Sequence, residues 1–214
     1  MKIFFALILT IAFSNNVFSQ TGVKIGTNFS SIYGDITFGF NDGNDFTREL
    51  KTGLRMSFFS QYGEGSYKLT LETGLSQKGY ILKDELEDEL GTIKTKGTFN
   101  INYLDLNSTV HFFVSDFISI NAGAGFGIAL SGIAKLEFYD KTGAYEGVFG
   151  DTNNAEIGED ISAFDLGLIL GSTFYLNENF LLDANYYLGF LTQNPEGDYS
   201  IYNKVISISL GYIF

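Results

Sequence analysis

His111 is the only histidine among the 214 residues, and the chain has no cysteine. Any imidazole general base must therefore be this residue. Thiol catalysis, zinc ribbons and a disulfide framework are excluded. The acids nearest to His111 in sequence are Asp105 and Asp116, and no serine is placed as its nucleophile. It reads as a histidine hydrogen-bonded to its neighbours. Gly123-Ala124-Gly125-Phe126-Gly127 has the look of a nucleotide loop, but the dinucleotide fingerprint needs a further glycine where Ile128 stands, and then a helix. No catalytic residue, cofactor or metal site is expected from these positions, and the chain reads as non-enzymatic.

Acidic residues collect at Asp84, Glu85, Glu87, Asp88 and Glu89, and again at Asp140, Glu146, Asp151, Glu156, Glu159 and Asp160. Oxygen-rich segments suit Ca²⁺. Neither Asp42-Gly43-Asn44-Asp45 nor the stretch 151–160 keeps EF-hand spacing, however. They read as solvated acidic loops, open to a protein partner, with Lys83 to Leu90 able to form a short helical turn. The net charge of −12 argues against nucleic acid, because nothing resembles a basic patch that could neutralise phosphates.

The elements that must position these residues are strands. With 25 Gly, 22 Phe and 13 Tyr against one Pro, the composition is β-rich. Lys2 precedes an apolar run from Ile3 to Phe13, too short to span a bilayer as a helix and suited to an export signal. The expected cut falls between Ser19 and Gln20. This makes 1–19 a signal peptide and 20–214 the mature domain. From Gly22 the hydropathy pattern has period two. Eight segments alternate: Val23 to Ser30, Thr52 to Tyr62, Tyr67 to Tyr80, Ile101 to Phe113, Ile118 to Leu130, Phe164 to Phe174, Leu182 to Phe190 and Ile206 to Phe214. Short connections near 63–66, 114–116 and 176–179 alternate with long ones at about 33–51, 81–100, 132–161 and 192–203. Tight turns at one end and long loops at the other describe an eight-stranded antiparallel up-and-down transmembrane β-barrel, its turns periplasmic and its loops outside.

Period two leaves open which face points inward, and a soluble lipocalin-like barrel is the alternative. The non-apolar face carries glycines and small residues with isolated charges at Lys24, Arg55, Glu72, Asp105, Asp165 and Asp183. That suits a narrow lumen better than a water-facing surface. Aromatic residues near strand ends, such as Tyr62, Tyr67, Tyr80 and Phe190, suit the headgroup level. Charges inside a barrel must be paired, so Arg55, Glu72 and Asp105 on adjacent strands are expected to form a lumen cluster.

Several segments carry a further resemblance. Gly22-Val23-Lys24-Ile25-Gly26-Thr27-Asn28-Phe29-Ser30, Leu71 to Tyr80, Tyr103-Leu104-Asp105-Leu106 and Gly123 to Gly127 resemble the PorT-like outer-membrane β-barrel family. Asn185 and Asn107 replace the Arg and Pro usual there. The resemblance implies an eight-stranded build shared with the OmpA transmembrane domain, an outer-membrane location among lipid, and a link to protein secretion. The ending Leu210-Gly211-Tyr212-Ile213-Phe214 looks like the terminal-strand signal read by the barrel-assembly machinery, through Leu210, Tyr212 and Phe214. The expected role is structural or surface-interacting. A narrow channel or a secretion accessory is the runner-up.

Overall fold

The computed structural model describes residues 19–34, 47–88, 91–140, 152–156, 162–193 and 200–214. Most of the export segment, the Asp42–Asp45 stretch and 157–161 lie outside the described residues. Ten strands follow in order: β1 (Ser19–Gly34), β2 (Thr47–Glu49), β3 (Lys51–Tyr62), β4 (Tyr67–Asp88), β5 (Gly91–Ser115), β6 (Ile118–Asp140), β7 (Thr152–Glu156), β8 (Phe164–Tyr175), β9 (Phe180–Gly189) and β10 (Ile201–Ile213). Eight of them close a ring, β1-β3-β4-β5-β6-β8-β9-β10 and back to β1, every pair antiparallel. β2 and β7 pair only above the ring, against β4 and β6.

The register fixes the size of the ring. Directly paired residues lead from Thr21 to Ser60, Leu71, Ser108, Ala124, Leu168, Leu188 and Lys204, and then back onto β1 at Ser31. The circuit returns ten residues further along β1 than it began. With ordinary strand rise and spacing, this stagger over eight strands gives a tilt of about 40° and a backbone radius of roughly 8 Å. Such a tube is just wide enough for side chains to fill.

Alternation then sorts the faces. Ile25, Leu54, Met56, Leu75, Leu168, Leu170, Ile208 and Leu210 are exposed on the outside, while Lys24, Asn28, Glu72, Lys78, His111, Asp165 and Asp183 are buried inside. A lipocalin has the reverse arrangement, so the soluble alternative is wrong. On β5 the outward apolar belt runs from Leu104 to Phe112, and along β9 it runs from Phe180 to Phe190, the residue that follows the strand. Those lengths match the ~9–11 tilted residues needed to cross the hydrocarbon. The β3–β4 turn needs glycine at Gly63 and Gly65, whose φ values are +117° and +69°.

Two sequence expectations change. Residues 81–100 are mostly not a loop, and Lys83–Asp88 is not helical: the β4–β5 ladder continues in register to Asp88↔Gly91. β6 likewise runs on to Asp140 rather than ending near Leu130, with a register shift between Asn102 and Tyr103 of β5 where Leu130 is skipped. The cause is cross-strand pairing. Lys83–Glu49 and Lys94–Glu85, both at 2.7 Å, link neighbouring strands on the outward face, so the alternating charges act as ladder rungs. The barrel is therefore lopsided, with β4, β5 and β6 at 22–25 residues and β8, β9 and β10 at 10–13.

A charge placed mid-belt on the outer face should be costly. Leu168→Arg is expected to destabilise the folded barrel by ~2–4 kcal/mol. Asn102→Arg, above the belt, should be near neutral. Urea titration of the vesicle-inserted protein would check both.

Candidate functional site

The lumen is the one place where buried chemistry gathers among the described residues, and it is built in layers. At the periplasmic end Phe59, Leu181 and Ile213 form an apolar plug with Tyr175 against it. Beside it Gln61 donates to the Thr70 hydroxyl at 3.1 Å and to the Tyr175 hydroxyl at 2.9 Å. His111 lies in this layer with Nε2 3.1 Å from Thr109 Oγ1 and Nδ1 3.1 Å from Ser119 Oγ. Both hydroxyls belong to buried residues, so the imidazole is held through both ring nitrogens.

The next layer is ionic. Lys24 on β1 donates across the lumen to Glu72 on β4 and to Asp183 on β9, each at 2.8 Å. Arg55 on β3 bonds the other oxygen of Glu72, and its Nη1 donates to Ser207 Oγ on β10 at 2.8 Å. Asp183 also accepts from Thr173 and Asn185, both at 2.7 Å. Above, Lys78 on β4 reaches Asp105 on β5 at 3.0 Å and Asp165 on β8 at 3.2 Å. Its ammonium lies 4.6 Å from the ring centres of both Tyr103 and Tyr187. Asn203 donates to Asp165 at 3.0 Å, and the Tyr103 hydroxyl donates to Gln193 at 2.6 Å. A second apolar layer of Ile32, Tyr80, Leu82 and Ile201 covers the extracellular side.

Of the three residues expected to cluster, Arg55 and Glu72 meet, whereas Asp105 takes Lys78 as its partner. Lys78 escaped the sequence reading although it lies in phase with Glu72 and Ser76, which was the available signal. Gln193 and Asn203 fell in what read as a long connection. Leu210, Tyr212 and Phe214 lie on the outer face, exposed, with Tyr212 edge-on to Phe180 and Phe214.

Long side chains from β1, β3 and β4 cross toward a wall of glycines on β6 and β8. A Cβ on Gly125 would stand 2.7 Å from Asn107 Oδ1 and 3.1 Å from Tyr187, and one on Gly171 would collide with Asn185. The glycine run that suggested a nucleotide loop is therefore room for lumen side chains of neighbouring strands, Asn107 and Asp105 of β5 and Tyr187 of β9. What remains is a cavity of ≈ 40 Å³ lined by Lys24, Arg55, Glu72, Lys78 and Asp105, among others. That is space for a few waters. Outside the membrane belt, hydrogen bonds from Lys135 and Lys96 hold the exposed Glu137 carboxyl below its usual range.

The sequence matches the family model described as outer membrane protein beta-barrel domain over residues 6–192. No curated protein matches it. Among solved structures, Ail, the attachment invasion locus protein of Yersinia pestis, is 15% identical, with 92% of this chain and 99% of that chain covered and a TM-score of 0.45. Neisserial surface protein A is 11% identical over 91% of this chain and 97% of its own, with a TM-score of 0.48. The N-terminal β-barrel domain of Pseudomonas aeruginosa OprF is 13% identical over 89% and 97%, with a TM-score of 0.37.

The ionic layers carry an ordered expectation. Lys78→Met strands two carboxylates and should cost about 3–5 kcal/mol, the usual loss on breaking a buried pair. Glu72→Gln, which releases two cations, should cost more than Asp105→Asn, because Lys78 keeps Asp165. Denaturant midpoints in one detergent would rank the three variants.

Proposed function

The chain belongs to the outer membrane protein β-barrel domain family, and from that premise we propose that it is a non-conducting, non-enzymatic protein with a structural or surface-interacting role. The observation that carries this reading is the lumen. Two apolar layers bracket two ionic layers, and the residual cavity of ≈ 40 Å³ is too small for a diffusion path. The parts that offer contact to partners are the strands that outrun the belt, β4, β5 and β6 with β2 and β7 alongside. The outward face of that extension carries Lys83, Lys94, Lys96 and Lys135, each ion-paired with Glu49, Glu85 or Glu137. A mixed-charge surface of this kind suits a polar protein partner better than a hydrophobic one.

Two finer readings belong with this proposal. Leu210, Tyr212 and Phe214 form an outward apolar file at the periplasmic end of β10, which fits a terminal strand presented to the assembly machinery before closure. Arg55, Glu72 and Asp105, with their partners, serve to fill and hold the lumen. If the PorT-like resemblance extends to function, the partner at the extracellular sheet is a component of a secretion assembly.

Planar-bilayer recording of the purified protein is expected to be silent; reproducible unitary conductance would replace the proposal with the narrow-channel reading. Cross-linking in intact outer membranes through cysteines placed at Lys94 and Lys135 should capture a defined protein. Capture of nothing but lipid would leave the membrane-structural role alone.

A further inference from the structure

A groove of ≈ 460 Å³ crosses the outer wall of the barrel inside the apolar belt. Its floor is low at Ser60, Ser108 and Ala124, small residues of one row, with the exposed Leu71 standing between Ser60 and Ser108 as part of the lining. Phe58, Leu106 and Phe126 in the row above form its upper wall, and Tyr62, the last residue of β3, lies at its lower end. Because each circuit of the ring climbs ten residues, the row rises as it passes from β3 to β6. From Tyr62 through Ser60 to Ala124 the floor climbs roughly 15 Å along the barrel axis, given ordinary rise, spacing and tilt. That equals the depth of one leaflet in a hydrocarbon core about 30 Å thick.

We propose that this groove is a binding site for one phospholipid of the periplasmic leaflet, with an acyl chain lying along Ser60, Ser108 and Ala124 and its headgroup region beside Tyr62. Three observations converge on that occupant. The groove is continuous with the belt that lipid already covers, so hydrocarbon is the medium at its mouth. Its lower end reaches Tyr62, near the periplasmic end of β3, where a tyrosine pairs an apolar ring with a hydroxyl able to reach ester or phosphate oxygens. It is also a depression in a convex wall. A second barrel, itself convex, would bridge the walls at Phe58 and Phe126 and leave the floor empty, whereas a flexible chain can follow it. The missing side-chain volume at Ser108 and Ala124 would otherwise leave a void against lipid, and a seated chain recovers those contacts.

The full chain, refolded into vesicles of palmitoyl-oleoyl phosphatidylethanolamine and phosphatidylglycerol and extracted in mild detergent, would be weighed by native mass spectrometry. One retained phospholipid per barrel is expected. Ser108→Leu with Ala124→Leu should lower the retained fraction at least fivefold, and Tyr62→Ala should lower it less. Ala184→Leu, which adds the same bulk to the outer face of β9, should leave it unchanged. Equal retention by the filled variant, equal loss in the Ala184 control, or a dimer mass abolished by filling the groove would each overturn the proposal. Heat-modifiable gel mobility verifies folding; should the double variant not fold, Ala124→Leu alone carries the same expectation.

Discussion

Closure of β1 against β10 is the contact on which everything else depends. Thirteen residue pairs, from Gly22↔Ile213 to Gly34↔Ile201, join strands at opposite ends of the sequence and leave the ring without an edge. In hydrocarbon no water can satisfy an open edge, and each unpaired backbone group costs several kcal/mol. Closure is therefore a condition for residence in the membrane. It also sets the stagger of ten residues over eight strands, hence a radius of roughly 8 Å. That radius dictates the lumen: too narrow for two walls of large side chains, and too wide for two walls of glycine. The result is large lumen side chains set beside glycines on neighbouring strands, as Asn107 and Tyr187 are beside Gly125 and Asn185 beside Gly171.

The ionic layers are better understood as register devices than as sources of stability. Withdrawing Lys24, Glu72 and Asp183 from water costs several kcal/mol per ion, and their attraction offsets that only when the geometry is good. What they supply is selectivity among alternatives. Lys24 ties β1 to β4 and β9, Arg55 ties β3 to β4 and β10, and Lys78 ties β4 to β5 and β8. A slip of one residue at any strand would turn its charged side chain into lipid. The ties run across the lumen as well as along it, so that within the lumen every ring strand but β6 carries one of these ions or its direct hydrogen-bond partner.

Legibility in the sequence follows the same physics. Strand existence and face were readable wherever alternation ran between lipid and lumen, as in Ile118 to Leu130, because both media impose period two at full contrast. The belt ends were readable from exposed residues such as Tyr67 and Phe190, but Tyr80, expected at the headgroup level, is buried in the upper apolar layer. Above the belt both faces meet water, so contrast falls, and Lys83, Glu85, Lys94 and Glu137 read as loop or helical turn when they are rungs of paired strands. In the lumen, which residues point inward was legible, but which cation meets which acid was not. Asp105 lies in the row of Gly74, below Lys78 on the β4–β5 ladder, yet the long Lys78 side chain reaches it at 3.0 Å while Arg55 is taken up by Glu72 and Ser207. Pairing across a tube depends on shear, and shear emerges only from all eight registers together.

The lopsided rim follows from the same constraint once the membrane no longer imposes it. Within the belt every strand must pair on both sides, and β8 and β9 end close to where that requirement ends. β4, β5 and β6 continue because β5 still has a neighbour on each side, and the two outer strands gain β2 and β7 as partial partners. A three-stranded sheet with flanking strands holds itself together in water where a single extended strand would not. The ion pairs on its outward face are exposed and individually worth little. Their effect is to keep that face charged, which discourages unplanned pairing and aggregation. The extension is thus a paired sheet with a charged outward face on one side of the mouth, continuous with the strands of the barrel.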